Sequence, residues 1–203
     1  MWVPSMKVNP PSGTVAADRP KTSVAAAEGA KLKIDVIVRS RRWRQGVARV
    51  TRLCAETARR AYVVAAGDDP DAQRRDAQVS IVLTSDRAVQ ALNRTFRGHD
   101  QATNVLSFPV AQAPAAAPAG CPLPPRLLGD VVIAFGTTAA EAAAAGKDLG
   151  DHLRHLIVHG ILHVLGYDHQ TEGDAAAMER LEATILACFG VSDPYASAAE
   201  HPA

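Results

Sequence analysis

The 203-residue sequence is poor in cysteine, and no two cysteines stand close enough together to form a thiolate pair. Cys54, Cys121 and Cys188 are scattered along the chain. Structural zinc sites use closely spaced cysteines, and disulfide frameworks use a dense, even set of them. The sequence therefore argues against both arrangements. It predicts a protein of a reducing compartment, which we expect to be the cytoplasm.

Long apolar runs are also missing. No stretch approaches the roughly 20 apolar residues that span a bilayer. Residues 1–20 show neither the apolar core of a secretory signal nor the arginine-rich pattern of a transit peptide. We therefore expect no membrane role, and we interpret residues 1–30, which are rich in Pro, Ala, Ser and Thr, as a disordered tail.

The chain as a whole has no strong charge of one sign, because its formal net charge is +1. The charge is nevertheless uneven. Residues 31–60 carry ten basic and two acidic side chains, a net charge of +8, so the rest of the chain carries −7. Such a basic stripe can bind a phosphate backbone through the release of counterions. A solvated, arginine-rich helix face explains the same pattern equally well.

Three histidines fall within the eleven residues HGILHVLGYDH. His159 and His163 are four residues apart, so on a helix they project from one face about one turn apart. Gly166 suits a left-handed helix end, after which the chain can fold back and bring His169 to the same point. Three imidazoles around a divalent ion leave a fourth position open, as in catalytic zinc sites. The run therefore predicts a metal centre, although imidazoles also suit copper, nickel and iron.

Hydrophobic periodicity predicts an α+β fold with one small mixed sheet. Four strands are expected, over residues 32–38, 79–83, 104–110 and 128–135. Five helices are expected to begin near Arg42, Ala88, Thr137 or Thr138, Asp151, and Thr171 or Asp174. The fourth helix carries a polar column of histidines while its apolar residues point in nearly every other direction, so it is predicted to be central and buried.

The predicted elements form one domain over residues 31–190. Residues 111–127, which are mostly alanine and proline between the third and fourth strands, are interpreted as a flexible insertion. Residues 191–203 are interpreted as a loose C-terminal tail.

The histidine run resembles the signature of the YbeY family of bacterial single-strand-specific endoribonucleases, HGxLHLxGYDH, with Val164 in place of the usual leucine. Two other segments strengthen the resemblance. Residues 92–109, LNRTFRGHDQATNVLSFP, are similar to the family segment around its phosphate-binding arginine, and residues 128–133, LGDVVI, are similar to its LGDIVI strand. The resemblance covers roughly residues 31–190.

The resemblance implies a zincin-like, YbeY-like fold and a cytoplasmic, zinc-dependent endoribonuclease with one Zn²⁺ per chain. It implies metal ligation by His159, His163 and His169 and a catalytic role for Arg97. The implied substrate is single-stranded RNA, in maturation of the 16S ribosomal RNA 3′ end and in ribosome quality control. The small ribosomal subunit and its proteins are the implied partners. The family often has Asp where this chain has Asn104, so we expect no essential carboxylate there.

Two other functions remain open at this point. Zincin peptidases carry HExxH, in which the glutamate is the general base. Gly160 occupies that position here and has no proton-accepting side chain, so peptide hydrolysis would need a base from elsewhere. The second alternative is a ribosome-binding maturation factor whose metal mainly stabilises the fold.

Several further polar residues are candidates for supporting roles. Arg97 offers a planar fork that neutralises charge on phosphate, although most arginines are merely solvated. His155, one turn before His159, is better explained as a residue behind the ligands than as a ligand. Asp130 is interpreted either as an acceptor for a ligand imidazole or as a strand-edge residue. Ser107 and Asp168 are interpreted as phosphate contact and turn cap respectively, or as packing and solvent-facing residues.

Overall fold

A computed structural model describes residues 31–67, 69, 72, 75–111 and 123–196. The predicted tail over residues 1–30 lies outside the described residues. So do residues 112–122 of the predicted insertion and residues 197–203 of the predicted C-terminal tail.

Four strands form one mixed sheet in the order β1-β2-β4-β3. The strands are β1 Leu32–Val38, β2 Ala77–Thr84, β3 Val105–Pro109 and β4 Arg126–Ala134. Strands β1, β2 and β4 are parallel, and β3 pairs antiparallel with β4 in a hairpin. The predicted mixed sheet is thereby confirmed. Strand β4 begins at Arg126, within the segment expected to be a flexible insertion.

The described residues contain six helices where the sequence predicted about five. They are α1 Arg42–Gly46, α2 Val50–Ala65, α3 Asp86–Arg97, α4 Phe135–Ala144, α5 Leu149–Leu165 and α6 Glu172–Ala187. The additional helix arises because Arg49 adopts a left-handed conformation with φ +51°, which divides the single helix expected from Arg42 to Ala61. None of these helices combines the length and apolar character needed to cross a membrane.

The sheet buries both of its faces. Val79, Ile81 and Leu83 of β2 and Val131 and Ile133 of β4 face the main core, which also contains the buried sides of α2, α5 and α6. The alternate residues face the other way, and there Val132, Ala134 and Leu106 pack against Val89 of α3. This alternation follows from the two-residue period of a strand. It places α5 across the sheet, with helices on either side.

The first turn of α4 is bound by a residue from a distant helix. The sequence predicted a cap by Thr137 or Thr138, and this prediction is wrong, because α4 begins at Phe135. Its free N–H groups at Gly136 and Thr137 donate to the carboxylate of Asp86 at 2.8 and 2.6 Å. Burial raises the pKa of Asp86, but these bonds and one from the Thr137 hydroxyl lower it further, to below its ordinary value. Asp86 thus fixes where α4 begins.

Helix α5 has distinct signals at both ends. Asp148 caps its start by accepting hydrogen bonds from the N–H groups of Gly150 and Asp151 at 2.7 and 3.1 Å, so the helix begins slightly before the predicted Asp151. It ends at Gly166, whose φ of +101° is the predicted left-handed conformation. Between these ends the helix is largely buried, as predicted.

Candidate metal centre

The three histidines of the motif converge on one point. His159, His163 and His169 each offer one ring nitrogen, and these nitrogens all lie within 4.8 Å of one another. The Nε2 atoms of His159 and His163 are 3.0 Å apart. The predicted juxtaposition is therefore present, with two rings from consecutive turns of α5 and one from the segment that follows.

The fold-back that brings His169 to this point is held at three places. The backbone N–H of Tyr167 donates to the Leu162 carbonyl at 3.0 Å and closes the helix end. The Tyr167 hydroxyl donates to the Ala65 carbonyl at the end of α2, also at 3.0 Å. The carboxylate of Asp168 accepts from the His169 N–H at 3.0 Å, which fits the predicted turn cap. His169 is thus positioned by its backbone.

The ring of His163 is set up to present a lone pair. Its Nδ1 lies 3.1 Å from the Tyr167 carbonyl, which can only accept, so Nδ1 carries the proton and Nε2 is unprotonated. Burial, with the neighbouring positive charges of His159 and His169, lowers the pKa of His163 to about 3. The imidazole is therefore neutral at physiological pH, which is the form that binds metals.

Behind His159 lies a buried carboxylate that the sequence analysis missed. Glu182 of α6 is 1% exposed, and its Oε1 accepts from His159 Nδ1 at 2.9 Å. Its Oε2 accepts from His155 at 2.9 Å and from the Tyr195 hydroxyl at 2.5 Å. Burial raises the pKa of Glu182, but the histidine hydrogen bonds lower it more, to about 2. Glu182 is thus an ionised acceptor that orients His159, leaving its Nε2 for an ion.

The supporting residues differ from two expectations. Asp130, a candidate partner for a ligand imidazole, is exposed on β4, and Glu182 takes that place. Tyr195 belongs to the segment expected to be a loose tail, yet its hydroxyl reaches Glu182 and its ring packs edge-on against His155 at 5.9 Å between centroids. His155 is one of the residues behind the ligands, as predicted.

The histidines line a cleft of about 470 Å³ that also contains Arg97. Arg97 is half-buried, and its Nη2 donates to the Ser107 carbonyl at 3.4 Å. Burial lowers the pKa of Arg97 from 12.5, but no carboxylate of the described residues lies within ion-pairing distance of it. Its charge is therefore directed at the cleft without a protein counter-ion.

Gly160 has a packing role that explains the missing glutamate. A Cβ at this position would lie 2.5 Å from Val131 Cγ1 and 3.3 Å from Ser107 Oγ. Position 160 therefore faces the sheet at a distance that only glycine allows, and a glutamate there would displace β4. Ser107 donates to the Gly160 carbonyl at 3.4 Å, so its hydroxyl joins strand and helix.

The cysteines take no part in the cleft within the described residues. Cys54 is buried, which raises its pKa to about 12 and makes it a poor thiolate. Cys188 is exposed, and Cys121 lies outside the described residues.

Comparison with known proteins assigns the family. A model of the family described as Endoribonuclease YbeY matches residues 40–190. The chain belongs to the YbeY endoribonuclease family. Among its relatives, the Endoribonuclease YbeY of Rhodopseudomonas palustris (strain BisA53) is 52% identical over 126 residues, which cover 62% of this chain and 72% of that protein. The one from Paramagnetospirillum magneticum is 48% identical over 154 residues, which cover 75% and 89%. The YbeY match includes all three histidines and Arg97.

Proposed function

We propose that this chain is a zinc-dependent endoribonuclease that cleaves single-stranded RNA. His159, His163 and His169 hold one Zn²⁺, and Arg97 binds the phosphate at the scissile bond. The observation that carries the proposal is that three convergent imidazoles and an arginine without a counter-ion line one cleft. Membership in a family whose relatives are named endoribonucleases supports the choice of RNA as substrate.

The donor set fits zinc. Three nitrogen ligands with a position left open are the arrangement of catalytic zinc, and the neutral His163 needs no deprotonation before it binds. The ion, when bound, supplies Lewis-acid polarisation beside the phosphodiester. Glu182 keeps His159 oriented, and the Arg97 guanidinium binds phosphate oxygens through parallel N–H groups. The walls of the cleft exclude bulk water, which strengthens both electrostatic interactions.

A direct assay separates RNA cleavage from the two alternatives. Purified, zinc-loaded protein is incubated with a single-stranded RNA, with the same RNA in a duplex, and with casein. We expect cleavage of the single strand alone. Casein digestion would favour a peptidase, and RNA binding without cleavage would favour a ribosome-binding factor. Neither alternative is favoured by the site, because Gly160 faces the sheet and offers no base.

The cellular role that we propose is maturation of the 16S ribosomal RNA 3′ end and quality control of ribosomes, in the cytoplasm. The small ribosomal subunit and its proteins are the proposed partners. The named family supports this role. Loss of the protein in its host is expected to cause accumulation of 16S precursors with unprocessed 3′ ends, measured by mapping RNA termini.

The basic stripe provides a second contact for RNA in this proposal. All ten basic residues of 31–60 are exposed, and those after 40 lie on or beside α1 and α2. We expect replacement of Arg41 and Arg44 by Ala to weaken binding of all RNA sequences alike and to reduce the slope of log affinity against log salt by about two. Arg87→Ala with Arg180→Ala removes the same charge from exposed positions elsewhere. An unchanged slope would remove the stripe from the RNA interface.

Glu182 is expected to act through His159. Glu182→Gln retains the shape of the side chain but loses its charge, and we expect zinc affinity to fall about 10- to 100-fold in competition with a chelator. Glu179→Gln is the matched control, because Glu179 is an exposed residue of the same helix. Equal zinc affinity in both variants would contradict the positioning role.

A further inference from the structure

A second polar group lines the cleft outside the metal centre. Glu141 of α4 accepts at Oε2 from the Asn104 amide at 2.9 Å and from His152 Nε2 at 3.0 Å. We call these three residues the Glu141 cluster. Two donors occupy the lone pairs of Oε2, whereas Oε1 has no hydrogen-bond partner among the described residues. The cluster thus presents one vacant acceptor.

This acceptor is charged and held in place. Burial raises the pKa of Glu141, but the bonds from His152 and Asn104 lower it further, so the group is an anion at physiological pH. Its side chain is 40% exposed and lines the cleft. The helix that carries it is fixed at its start by Asp86. A rigid carboxylate oxygen open to a cleft selects ligands that donate a hydrogen bond.

The spacing along α5 matches one nucleotide. His152 precedes His159 by seven residues, which corresponds to about 10 Å along the helix. A nucleotide covers a similar distance between its phosphate and the hydrogen-bonding edge of its base. His155 and Leu156 line the cleft between the two groups, and the His155 ring is held by Glu182 and Tyr195. Proteins recognise single-stranded RNA by stacking unpaired bases on such rings and bonding their edges.

We infer that the Glu141 cluster is a nucleobase subsite, which prefers adenine, cytosine or guanine to uracil. The inference rests on the proposed function and specifies which RNA the same cleft takes. An exocyclic amino group donates to Glu141 Oε1, as carboxylates accept from the amino group of cytosine in other complexes. Uracil has no amino group, and the two carbonyl oxygens that flank its single edge N–H are repelled by the anion.

The binding test uses nucleoside monophosphates and the intact, zinc-loaded protein. Isothermal titration is expected to give an affinity for CMP about fivefold or more above that for UMP, with AMP and GMP also tighter than UMP. Glu141→Gln should remove this difference, because an amide donates as well as accepts. Glu179→Gln, the same change at an exposed residue of the same cleft, should preserve it. Equal affinities of the wild-type protein for all four nucleotides would overturn the inference.

A cleavage test separates this inference from the proposed function. Short single-stranded RNAs of random sequence are digested, and the cut ends are sequenced. Depletion of uracil at one position beside the cut, lost in Glu141→Gln, supports the subsite. Cleavage without base preference overturns the subsite and leaves the nuclease intact. Absence of cleavage with CMP still bound more tightly than UMP overturns the nuclease and leaves the subsite. If Glu141→Gln fails to fold by circular dichroism, the wild-type comparisons decide alone.

Discussion

The His163→Ala variant is expected to lose RNA cleavage by on the order of a thousandfold or more and to retain much less than one zinc ion per chain. His163 is 5% exposed, and its Nε2 is the nitrogen directed at the other two rings. Two imidazoles bind a divalent ion far more weakly than three. The measurements are the initial rate on single-stranded RNA and the zinc content after dialysis.

The control for this variant is His99→Ala. His99 is an exposed histidine after α3, so its replacement makes the same chemical change away from the cleft. We expect wild-type rate and zinc content. A His163→Ala protein that is folded, metal-free and fully active would show that the reaction does not use the metal centre.

The second large effect is expected for Arg97→Ala, which should lower cleavage about 10²- to 10³-fold while zinc content stays unchanged. The guanidinium faces the cleft without a protein carboxylate, so its loss removes charge from the substrate phosphate alone. Arg97→Lys should recover only part of the rate, because an ammonium keeps the charge but lacks the planar fork.

Arg94→Ala is the matched control for Arg97. Arg94 lies one turn earlier in α3, is exposed, and forms a long ion pair with Asp100 at 3.9 Å. We expect its replacement to leave the rate within about twofold, since exposed ion pairs contribute little. Equal losses in the two variants would indicate a general effect of charge instead of a specific phosphate contact.

The metal centre was largely predictable because its geometry is local. The spacing of His159 and His163 and the glycine at the helix end depend on the period of the helix and on one left-handed residue. The mixed sheet was predictable for a similar reason, since alternating β-branched segments and helical periods fix the class of fold. Only the approach of His169 required a fold-back that the sequence could suggest but not measure.

The support behind the histidines was not predictable, because it depends on how helices pack. Glu182 contacts His159 across 23 residues of sequence, and Asp86 binds the start of α4 across about fifty. One signal was available for Glu182: it occupies a position in the apolar stripe of α6, between Met178 and Ile185. A charged residue at a buried position requires partners, and two histidines and a tyrosine supply them.

Gly160 shows how one residue can carry two explanations. From the sequence, it was a missing general base, which argues against a peptidase. In the structure, it is also the point at which α5 lies closest to β4, where a side chain would meet Val131. The chemical absence and the packing requirement agree, because a helix seated this closely on the sheet has no room for a glutamate at that turn.

The central claim is that His159, His163 and His169 together hold one divalent ion. Elemental analysis of the purified wild-type chain and of the three single His→Ala variants, with X-ray absorption spectroscopy of the wild type, tests it most directly. The account predicts one zinc per wild-type chain, three nitrogen ligands at about 2.0–2.1 Å, and a clear loss of metal in every variant. A wild-type chain without metal, or variants that all retain a full complement, would contradict it.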